Sequence, residues 1–210
     1  MKDEFYDFFK EKYHSTFENK ADDRVIQKYS GVLPNNLLEI WKKEGWSGYF
    51  NGLLWLVNPE KYEGIIEDYF SGTELQGKGD FYCIAKGAFG GLLVFEANSG
   101  TFMNIDPVLE MITVQKNFEK KIASQSDKEI SIISRFSVLK INSYDITNYG
   151  NSMFDRAFKK HEHLSPDEIY GFEPLLSLGG EMEVSSISKL YDVVHLSIIR
   201  QFTNPVVKYF

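Results

Sequence analysis

The sequence predicts an α+β fold in which helices come first and an antiparallel sheet follows. Three segments before residue 71 carry apolar and aromatic side chains at helical spacing. Short apolar runs then follow one another between residues 81 and 114, with turn residues between them, as in an antiparallel meander. Helices followed by such a meander form an α+β unit. A smaller α+β part, ending in a buried helix, is predicted for the C-terminal residues.

The helices of the first part are predicted from their apolar faces and end signals. Residues 3–17 place aromatic side chains near helical spacing, which indicates an amphipathic helix. A second helix is predicted over residues 35–44, with Gly45 as its C-terminal cap. A third is predicted over residues 59–70, with Asn58 as its N-cap and its apolar side chains facing inward.

The strands of the first part are predicted from short apolar runs that end at turn residues. The link Asn98-Ser99-Gly100 is typical of a hairpin turn between two of them. The predicted strands cover residues 53–57, 81–85, 92–96, 101–105 and 111–114.

The C-terminal part is predicted to contain helices around one buried strand. Residues 152–161 have an apolar helical face, and Ser165 with Glu168 matches a helix-starting capping box. The apolar run 170–178 stops at two glycines, as a buried strand would. Over residues 187–202 the apolar stripe is too wide for a surface helix, so a mostly buried helix is predicted.

A charged, serine-rich stretch over residues 117–140 separates the two parts and allows one or two short helices. We place the boundary there. The predicted organisation is a first domain over residues 1–115, a joint over 116–130 and a second domain over 131–210.

Composition indicates a soluble protein of a reducing compartment. No run approaches the roughly 18 uninterrupted apolar residues of a membrane span, and the first residues lack the apolar core of a signal peptide. Because Cys83 is the only cysteine, the chain forms no internal disulfide. We therefore expect a cytoplasmic protein that does not bind a membrane.

Negative charge is concentrated in the first half of the chain. Residues 1–115 contain 11 Lys and Arg against 18 Asp and Glu, whereas residues 116–210 contain 12 of each. The whole net charge of −7 therefore lies in the first half. This excess favours a basic protein partner over direct nucleic-acid binding, which needs a basic patch. Solubility alone explains a modest net charge equally well.

No residue pattern indicates catalysis or a bound cofactor. His161 and His163 flank one acid, but no third ligand follows at the spacing of a zinc site. His195 and Cys83 lie in apolar runs and are predicted to be buried structural residues. The sequence contains no conventional phosphate loop, nucleophile elbow or His-Glu-x-x-His motif. We expect a non-enzymatic protein with no catalytic residue, cofactor or metal ion.

The C-terminal part carries two runs found in a known family. They are Tyr-Gly-Phe-x-Pro-x-Leu-x-Leu-Gly-Gly from Tyr170 and His-Leu-x-Ile from His195. Together they resemble the C-terminal domain of type VI secretion immunity proteins. The resemblance implies a protein that binds and silences a co-inherited antibacterial toxin, commonly a nuclease.

The first half carries a second resemblance. Tyr-x-Gly-x-Leu-Pro from Tyr29, Asn-Pro-x-x-Tyr from Asn58 and Ala-Phe-Gly from Ala88 occur in the order typical of the GAD-like domain. The family often has an acidic residue after the Phe-Gly pair, and Gly91 stands there in this chain. Any role of that acid is therefore in doubt here.

The two resemblances imply an immunity protein that neutralises a cognate type VI effector, a nuclease toxin, by occluding or distorting its active site. Two other functions stay open at this point. The domain name suggests an accessory protein in tRNA or amidotransferase-type metabolism. The carboxylates of Glu63 and Glu67 suggest a hydrolase, although acids spaced four apart on a helix are usually a solvated face.

The toxin-binding surface is predicted on the helix over residues 59–70 and on the loop before it. The helix displays four acids while its apolar side chains are buried, and the loop adds two aromatic residues that we expect to be exposed. The predicted contact residues are Trp46, Tyr49, Glu60, Glu63, Glu67 and Asp68. Trp41, Trp55 and Phe172 lie within apolar runs and are predicted to be core residues instead.

Overall fold

The computed structural model describes residues 2–148 and 150–210, and the side chains of residues 4–148 and 150–210. It has the predicted α+β class: helices cover a large, mostly antiparallel sheet. The α-helices of the described residues are α1 (Lys2–Lys12), α2 (Asp23–Lys28), α3 (Asn35–Glu44), α4 (Glu63–Phe70), α5 (Gln125–Val138), α6 (Met153–His161) and α7 (Asp192–Phe202).

The strands of the described residues form one large sheet and two separate pairs of strands. They are β1 (Ser15–Phe17), β2 (Gly48–Tyr49), β3 (Leu54–Leu56), β4 (Phe81–Gly87), β5 (Leu92–Glu96), β6 (Thr101–Asp106), β7 (Met111–Val114), β8 (Thr147–Asn148), β9 (Asn151–Ser152), β10 (Glu168–Phe172), β11 (Ile187–Tyr191) and β12 (Val206–Tyr209). The eight-stranded sheet runs β1-β2-β3-β4-β5-β6-β7-β12, while β8 pairs with β9 and β10 with β11. All neighbours in the large sheet are antiparallel except β12, which runs parallel to β7.

The sheet is buried on both faces, which divides the molecule into three layers. In β5, Leu93 and Phe95 pack into one apolar cluster, and Leu92 and Val94 pack into the other. The first cluster contains buried side chains of α1, α2, α3 and α5. The second contains α4, α6, the β10–β11 hairpin and Leu196 of α7. Because successive strand residues point to opposite faces, this continuous apolar strand serves both layers at once.

Several predicted elements are confirmed. The helix over residues 35–44 and the strands over residues 92–96 and 111–114 have the predicted bounds. Gly45 ends α3 at a φ of 67°, and a Cβ there would lie 2.2 Å from the Asn19 carbonyl oxygen. Trp41, Trp55 and Phe172 are buried, as predicted for core residues.

The N-terminal helix is shorter than predicted. It ends at Lys12, and residues 15–17 form β1 instead, which pairs with β2. Phe17 therefore leaves the helix and stacks on the Trp55 ring at 5.8 Å. Residues 15–17 form a strand because β2, a strand much later in the chain, pairs with them. The spacing of aromatic residues along the chain does not report such a long-range pairing. The short helix α2 was also missed.

The C-terminal predictions need three corrections. The buried strand predicted over residues 170–178 ends at Phe172, and Leu176–Leu178 form a 3-10 turn with no buried residue instead. A turn links the Ser165 carbonyl oxygen to the Glu168 amide at 3.0 Å, but β10 follows it rather than a helix. Residues 187–191 form β11, so the helix begins only at Asp192, and α7 leaves Val194 and Ile198 exposed rather than buried. An apolar spacing of three to four residues fits a strand end and a helix start equally well when the chain changes structure in between.

The two predicted domains share structure in this fold. The α5 helix, beyond the predicted first domain, packs Ile132 and Phe136 against the N-terminal helices, and β12 joins the large sheet. The division at residues 116–130 stays a prediction, because these contacts do not test where either part could fold alone. The strand β12 itself was missed by the sequence patterns.

Candidate functional site

The α4 helix is built to bury one side and display the other. Asn58 Oδ1 accepts a hydrogen bond from the Glu60 amide at 3.0 Å, and a short 3-10 turn over Pro59–Tyr62 leads into the helix. The apolar residues are buried beneath it, as predicted: Tyr62, Ile65, Ile66, Tyr69 and Phe70. This burial fixes the rotation of the helix, so its acids must face solvent.

The outer side of this segment forms what we call the acidic face, made of Glu60, Glu63, Glu67 and Asp68. All of them are exposed. The structure thus places the four predicted acids together on one surface, although exposure alone does not test whether they bind a partner.

A cleft of about 640 Å³ runs beside the acidic face. Glu63, Glu67 and Asp68 line one wall, and Asp80, Phe81 and Tyr82 at the start of β4 line the other. Asp80 was missed by sequence reasoning because it follows a glycine-rich turn and belongs to no helix. The cleft therefore combines carboxylates with two half-buried aromatic rings.

The charges of the acidic face are only partly neutralised within the molecule. Lys28 Nζ lies 2.7 Å from a Glu60 carboxylate oxygen and 3.7 Å from one of Glu63. Within the described part of the chain, no cation lies within ion-pair distance of the Glu67 or Asp68 carboxylates. Burial raises the pKa of Tyr82, and the negative charges of Asp80 and Glu63 raise it further. The cleft is thus a region of negative potential.

The expectation that Trp46 and Tyr49 are exposed is wrong. Trp46 is 8% exposed and packs edge-on against the Trp41 ring at 4.8 Å. Tyr49 is fully buried and contacts Phe9 edge-on at 5.6 Å. Tyr49 belongs to β2, which lies inside the sheet between β1 and β3, and Trp46 comes just before that strand. Both rings pack into the apolar cluster of the N-terminal helices rather than anchor an interface.

A buried ionic cluster joins the acidic-face helix to the C-terminal part. Lys86 of β4 pairs with Asp192 at the start of α7, and both side chains are almost fully buried. The Tyr62 hydroxyl donates to the same Asp192 carboxylate, and Lys86 Nζ also donates to the Glu168 carbonyl oxygen at 3.1 Å. Burial lowers the pKa of Lys86, while the Asp192 charge opposes that shift. Sequence patterns missed this cluster, because nothing along the chain pairs two charges 106 residues apart.

The other sequence candidates, Cys83 and the histidines, pack against neighbouring residues. Cys83 is fully buried, and burial raises the pKa of its thiol well above the ordinary range. His195 is buried against Gly171, while His163 stacks on Phe17 at 5.0 Å. Among the described side chains, no three of His, Cys, Asp and Glu are grouped to hold a metal ion. Over the same residues, no helix is both long and apolar enough to cross a membrane.

Comparison with known families identifies the architecture. The profile of the GAD-like domain matches residues 4–109, which include the acidic face and its cleft. The chain belongs to the GAD-like family. A second profile, that of the C-terminal domain of the T6SS immunity protein Tdi1, matches residues 133–203 of this GAD-like protein. The pair of matches is the predicted type VI secretion immunity architecture, and the second indicates an immunity protein.

A solved structure supports the fold of this GAD-like protein. The crystal structure of Atu4351 from Agrobacterium tumefaciens superposes with a TM-score of 0.84 at 21% identity, over 95% of this chain and 90% of that one. At this identity the likeness concerns the fold alone. No curated protein matches the chain.

Proposed function

We propose that this immunity protein binds its cognate type VI effector through the acidic face and neutralises it, and that the effector's toxic domain is a nuclease. The observation that carries the proposal is the row of exposed carboxylates beside an open cleft, in a chain whose C-terminal part matches an immunity family. A nuclease must attract phosphate groups and so carries basic charge around its active site. Carboxylates on an inhibitor can occupy the same positive region.

The mechanism follows from charge and shape. Long-range attraction between an acidic face and a basic active site raises the association rate, and the effect weakens as salt screens it. Once docked, α4 and the opposing wall at Asp80 would cover the nuclease site and exclude its substrate. The helix is held rigidly by its buried apolar side chains, so little conformational entropy is lost on binding. Inhibition of the toxin requires no catalytic residue in this chain, and it takes place in the cytoplasm of the producing cell.

A charge-reversal experiment tests this surface. The triple variant Glu63→Lys, Glu67→Lys and Asp68→Lys should slow association with the toxin by about tenfold or more in about 0.02 M salt, and by less in about 0.3 M salt. Stopped-flow fluorescence would give both rates. The fold should survive, because exposed ion pairs contribute at most about 1 kcal/mol each.

A matched control separates the surface from net charge. Asp7, Glu11 and Glu181 are also exposed, and the first two are spaced four apart on α1 just as Glu63 and Glu67 are on α4. Reversing these three gives the same net charge and should leave the association rate within about twofold of wild type. If both variants slow association with the toxin equally, overall charge rather than the acidic face is the cause. If the acidic-face variant associates at the wild-type rate, the toxin binds another surface.

Neutralisation itself is tested in cells. Co-expression of this protein should restore growth to bacteria that express its cognate toxin, and the acidic-face triple variant should restore it less. Growth curves with toxin alone, with wild type and with the control variant supply the comparison. Killing at the same rate with and without this protein would reject the immunity mechanism.

A further inference from the structure

A second cleft, of about 350 Å³, lies where the sheet meets the segment after α5. Gly91, Asn104 and Asp106 line it from the sheet side, and Arg135, Tyr144 and Asp145 line it from the other. The cleft is therefore built from both matched regions of the chain, residues 4–109 and 133–203. It shares no lining residue with the acidic cleft beside α4.

Arg135 brings an unpaired guanidinium to this cleft. Its Nη2 donates to Asn104 Oδ1 at 2.9 Å, and the group lies 5.7 Å from the centre of the Phe102 ring. Its Nε is buried and has no hydrogen-bond partner. No carboxylate in the described part of the protein forms an ion pair with it. A buried donor without a partner is costly, so a ligand that accepts from Nε would be bound favourably.

Tyr144 supplies a second unused donor. Its hydroxyl is buried beside the Arg135 guanidinium, with which it interacts, and it donates to no acceptor. The ring packs against Gly87, where a Cβ would lie 2.8 Å from Tyr144 Cδ1. Burial raises the pKa of Tyr144 to about 12, although the nearby Arg135 charge opposes the shift. The phenol therefore keeps its proton at neutral pH and can donate to an acceptor.

The two acids that line the cleft accept hydrogen bonds from backbone amides. Asp106 Oδ1 accepts from two backbone amides of the following turn, at 3.0 and 2.9 Å. Asp145 Oδ1 accepts from the amides of Ile146 and Phe154 at 2.7 and 2.8 Å. Neither carboxylate forms an ion pair with Arg135. The cleft thus keeps a free planar cation with a neutral hydroxyl donor beside it.

We propose that this cleft is a carboxylate-binding site in which Arg135 and Tyr144 donate to the ligand's oxygens. A planar guanidinium matches the two oxygens of a carboxylate better than it matches a spherical anion. The sheet side leaves room, because a Cβ at Gly91 would come no nearer than 3.9 Å to its closest neighbour, the Ile105 carbonyl oxygen. An acidic side chain of a protein partner and a free organic acid share this chemistry.

Titration with sodium acetate tests the site without any toxin, so its outcome is independent of the proposed function. The NMR signal of the Arg135 Nε–H group, assigned by its loss in Arg135→Lys, should shift saturably with acetate and not with chloride at equal ionic strength. Tyr144→Phe and Arg135→Lys should each weaken acetate binding, the latter by about tenfold, since a hydrogen bond to a charged group is replaced by a poorer one. Thermal melts would confirm that both variants are folded.

An internal competitor gives a second test. Gly91→Glu projects a carboxylate from the sheet side into the same cleft, and it should abolish the acetate-dependent shift while leaving the protein folded. Gly91→Gln has the same size without the charge and should retain most of the shift. A linear, chloride-like response in wild type would mean that ordered water alone fills the cleft, and the proposal would then be wrong.

The complex with the cognate toxin distinguishes the two sources of carboxylate. If an acidic side chain of the toxin enters the cleft, the complex should no longer bind acetate and Arg135→Lys should weaken toxin binding. If a free organic acid is the ligand, the complex should still bind acetate and the variant should bind toxin as wild type does. Either result supports the site, while absence of saturable acetate binding to the free protein overturns it.

Discussion

Trp55 shows how closely single residues fit their surroundings in this fold. It is 1% exposed, its indole Nε1 donates to the Gly52 carbonyl oxygen at 2.9 Å, and its ring lies nearly parallel to that of Phe17. Gly48 makes room for it, because a Cβ there would lie 2.8 Å from the indole. The indole N–H of Trp55 is therefore hydrogen-bonded, and its ring is packed against Phe17 and Gly48.

Removing this side chain should be costly. We expect Trp55→Ala to lower the free energy of unfolding by about 3–5 kcal/mol, since the space left behind is closed in by the sheet and cannot collapse. Urea denaturation followed by circular dichroism measures the change. Leu109→Ala is the control, because Leu109 is 62% exposed and should cost within about 0.5 kcal/mol. Equal costs at both positions would contradict the packing described for Trp55.

His195 connects two runs of the C-terminal motif. Its ring lies against Gly171, where a Cβ would come 2.5 Å from His195 Nε2, so only glycine fits in the Tyr-Gly-Phe strand. Burial lowers the pKa of His195 below its ordinary 6.5, although the charge of Glu173 opposes this. The imidazole is therefore neutral in the folded protein where the unfolded chain would already bind a proton.

This shift predicts a pH effect with a definite sign. Because the folded-state pKa is depressed, the contribution to stability is present above the unfolded pKa and is lost as pH falls from about 7 toward about 5. His195→Asn should therefore lose less stability over that interval than wild type. Urea midpoints at several pH values would show it, and parallel curves for the two proteins would exclude His195 as the source.

Among the helices, α5 has the most complete start signal. Ser124 Oγ accepts from the Asp127 amide at 3.2 Å, while Asp127 Oδ2 accepts from the Ser124 amide at 2.9 Å. The cap is exposed, so its bonds can be removed without disturbing the core. Further along α5, Ile132 and Phe136 are fully buried in the core.

Losing the cap should have a modest, local cost. Ser124→Ala is expected to lower the free energy of unfolding by about 1 kcal/mol, because the Asp127 amide in the first turn loses its acceptor, Ser124 Oγ. Ser126→Ala provides the matched control, since Ser126 lies in the same exposed turn and does not cap the helix. Chemical denaturation compares the two. If Ser126→Ala is as destabilising as Ser124→Ala, the capping box is not the cause.

How well an element was predicted depends on whether its signal is local. The α3 helix and β5 carry their periodicity and end residues within a few positions, and their bounds were predicted correctly. The β11 strand and β12 exist because β10 and β7 offer pairing edges, and no pattern in residues 187–191 or 206–209 reports that. The exposure of Glu63, Glu67 and Asp68 on α4 was predicted correctly for the same local reason, whereas the burial of Trp46 and Tyr49 depends on the elements that pack around them.

Across the whole molecule, the Lys86–Asp192 pair joins the region matched by the GAD-like profile to the region matched by the Tdi1 profile. Both groups also bond to a third partner, Lys86 to the Glu168 carbonyl and Asp192 to the Tyr62 hydroxyl. Further out, Arg200 of α7 donates to the Asp68 and Ser71 carbonyl oxygens at 2.9 and 2.8 Å. The α4 and α7 helices are thus tied at both ends.

Breaking the buried pair should destabilise the whole protein. Lys86→Met is expected to cost about 3–5 kcal/mol, because it leaves the Asp192 carboxylate buried without its cation. Replacing both partners, as Lys86→Met with Asp192→Leu, should recover much of that loss. Denaturation of the single and double variants supplies the measurement. If the double variant loses at least as much free energy of unfolding as the two single variants together, an uncompensated charge is not the cause.

The parallel pairing of β12 with β7 also has a consequence for synthesis. The ribosome completes β7 more than ninety residues before it reaches Val206, yet β12 is what covers that edge of the sheet. While translation continues, the nascent chain holds a nearly finished sheet with one apolar strand open, and an open strand invites pairing with other chains. An arrest of translation shortly before Val206 would leave a protein that has most of its core but whose β7 edge is unpaired and prone to aggregate with other chains.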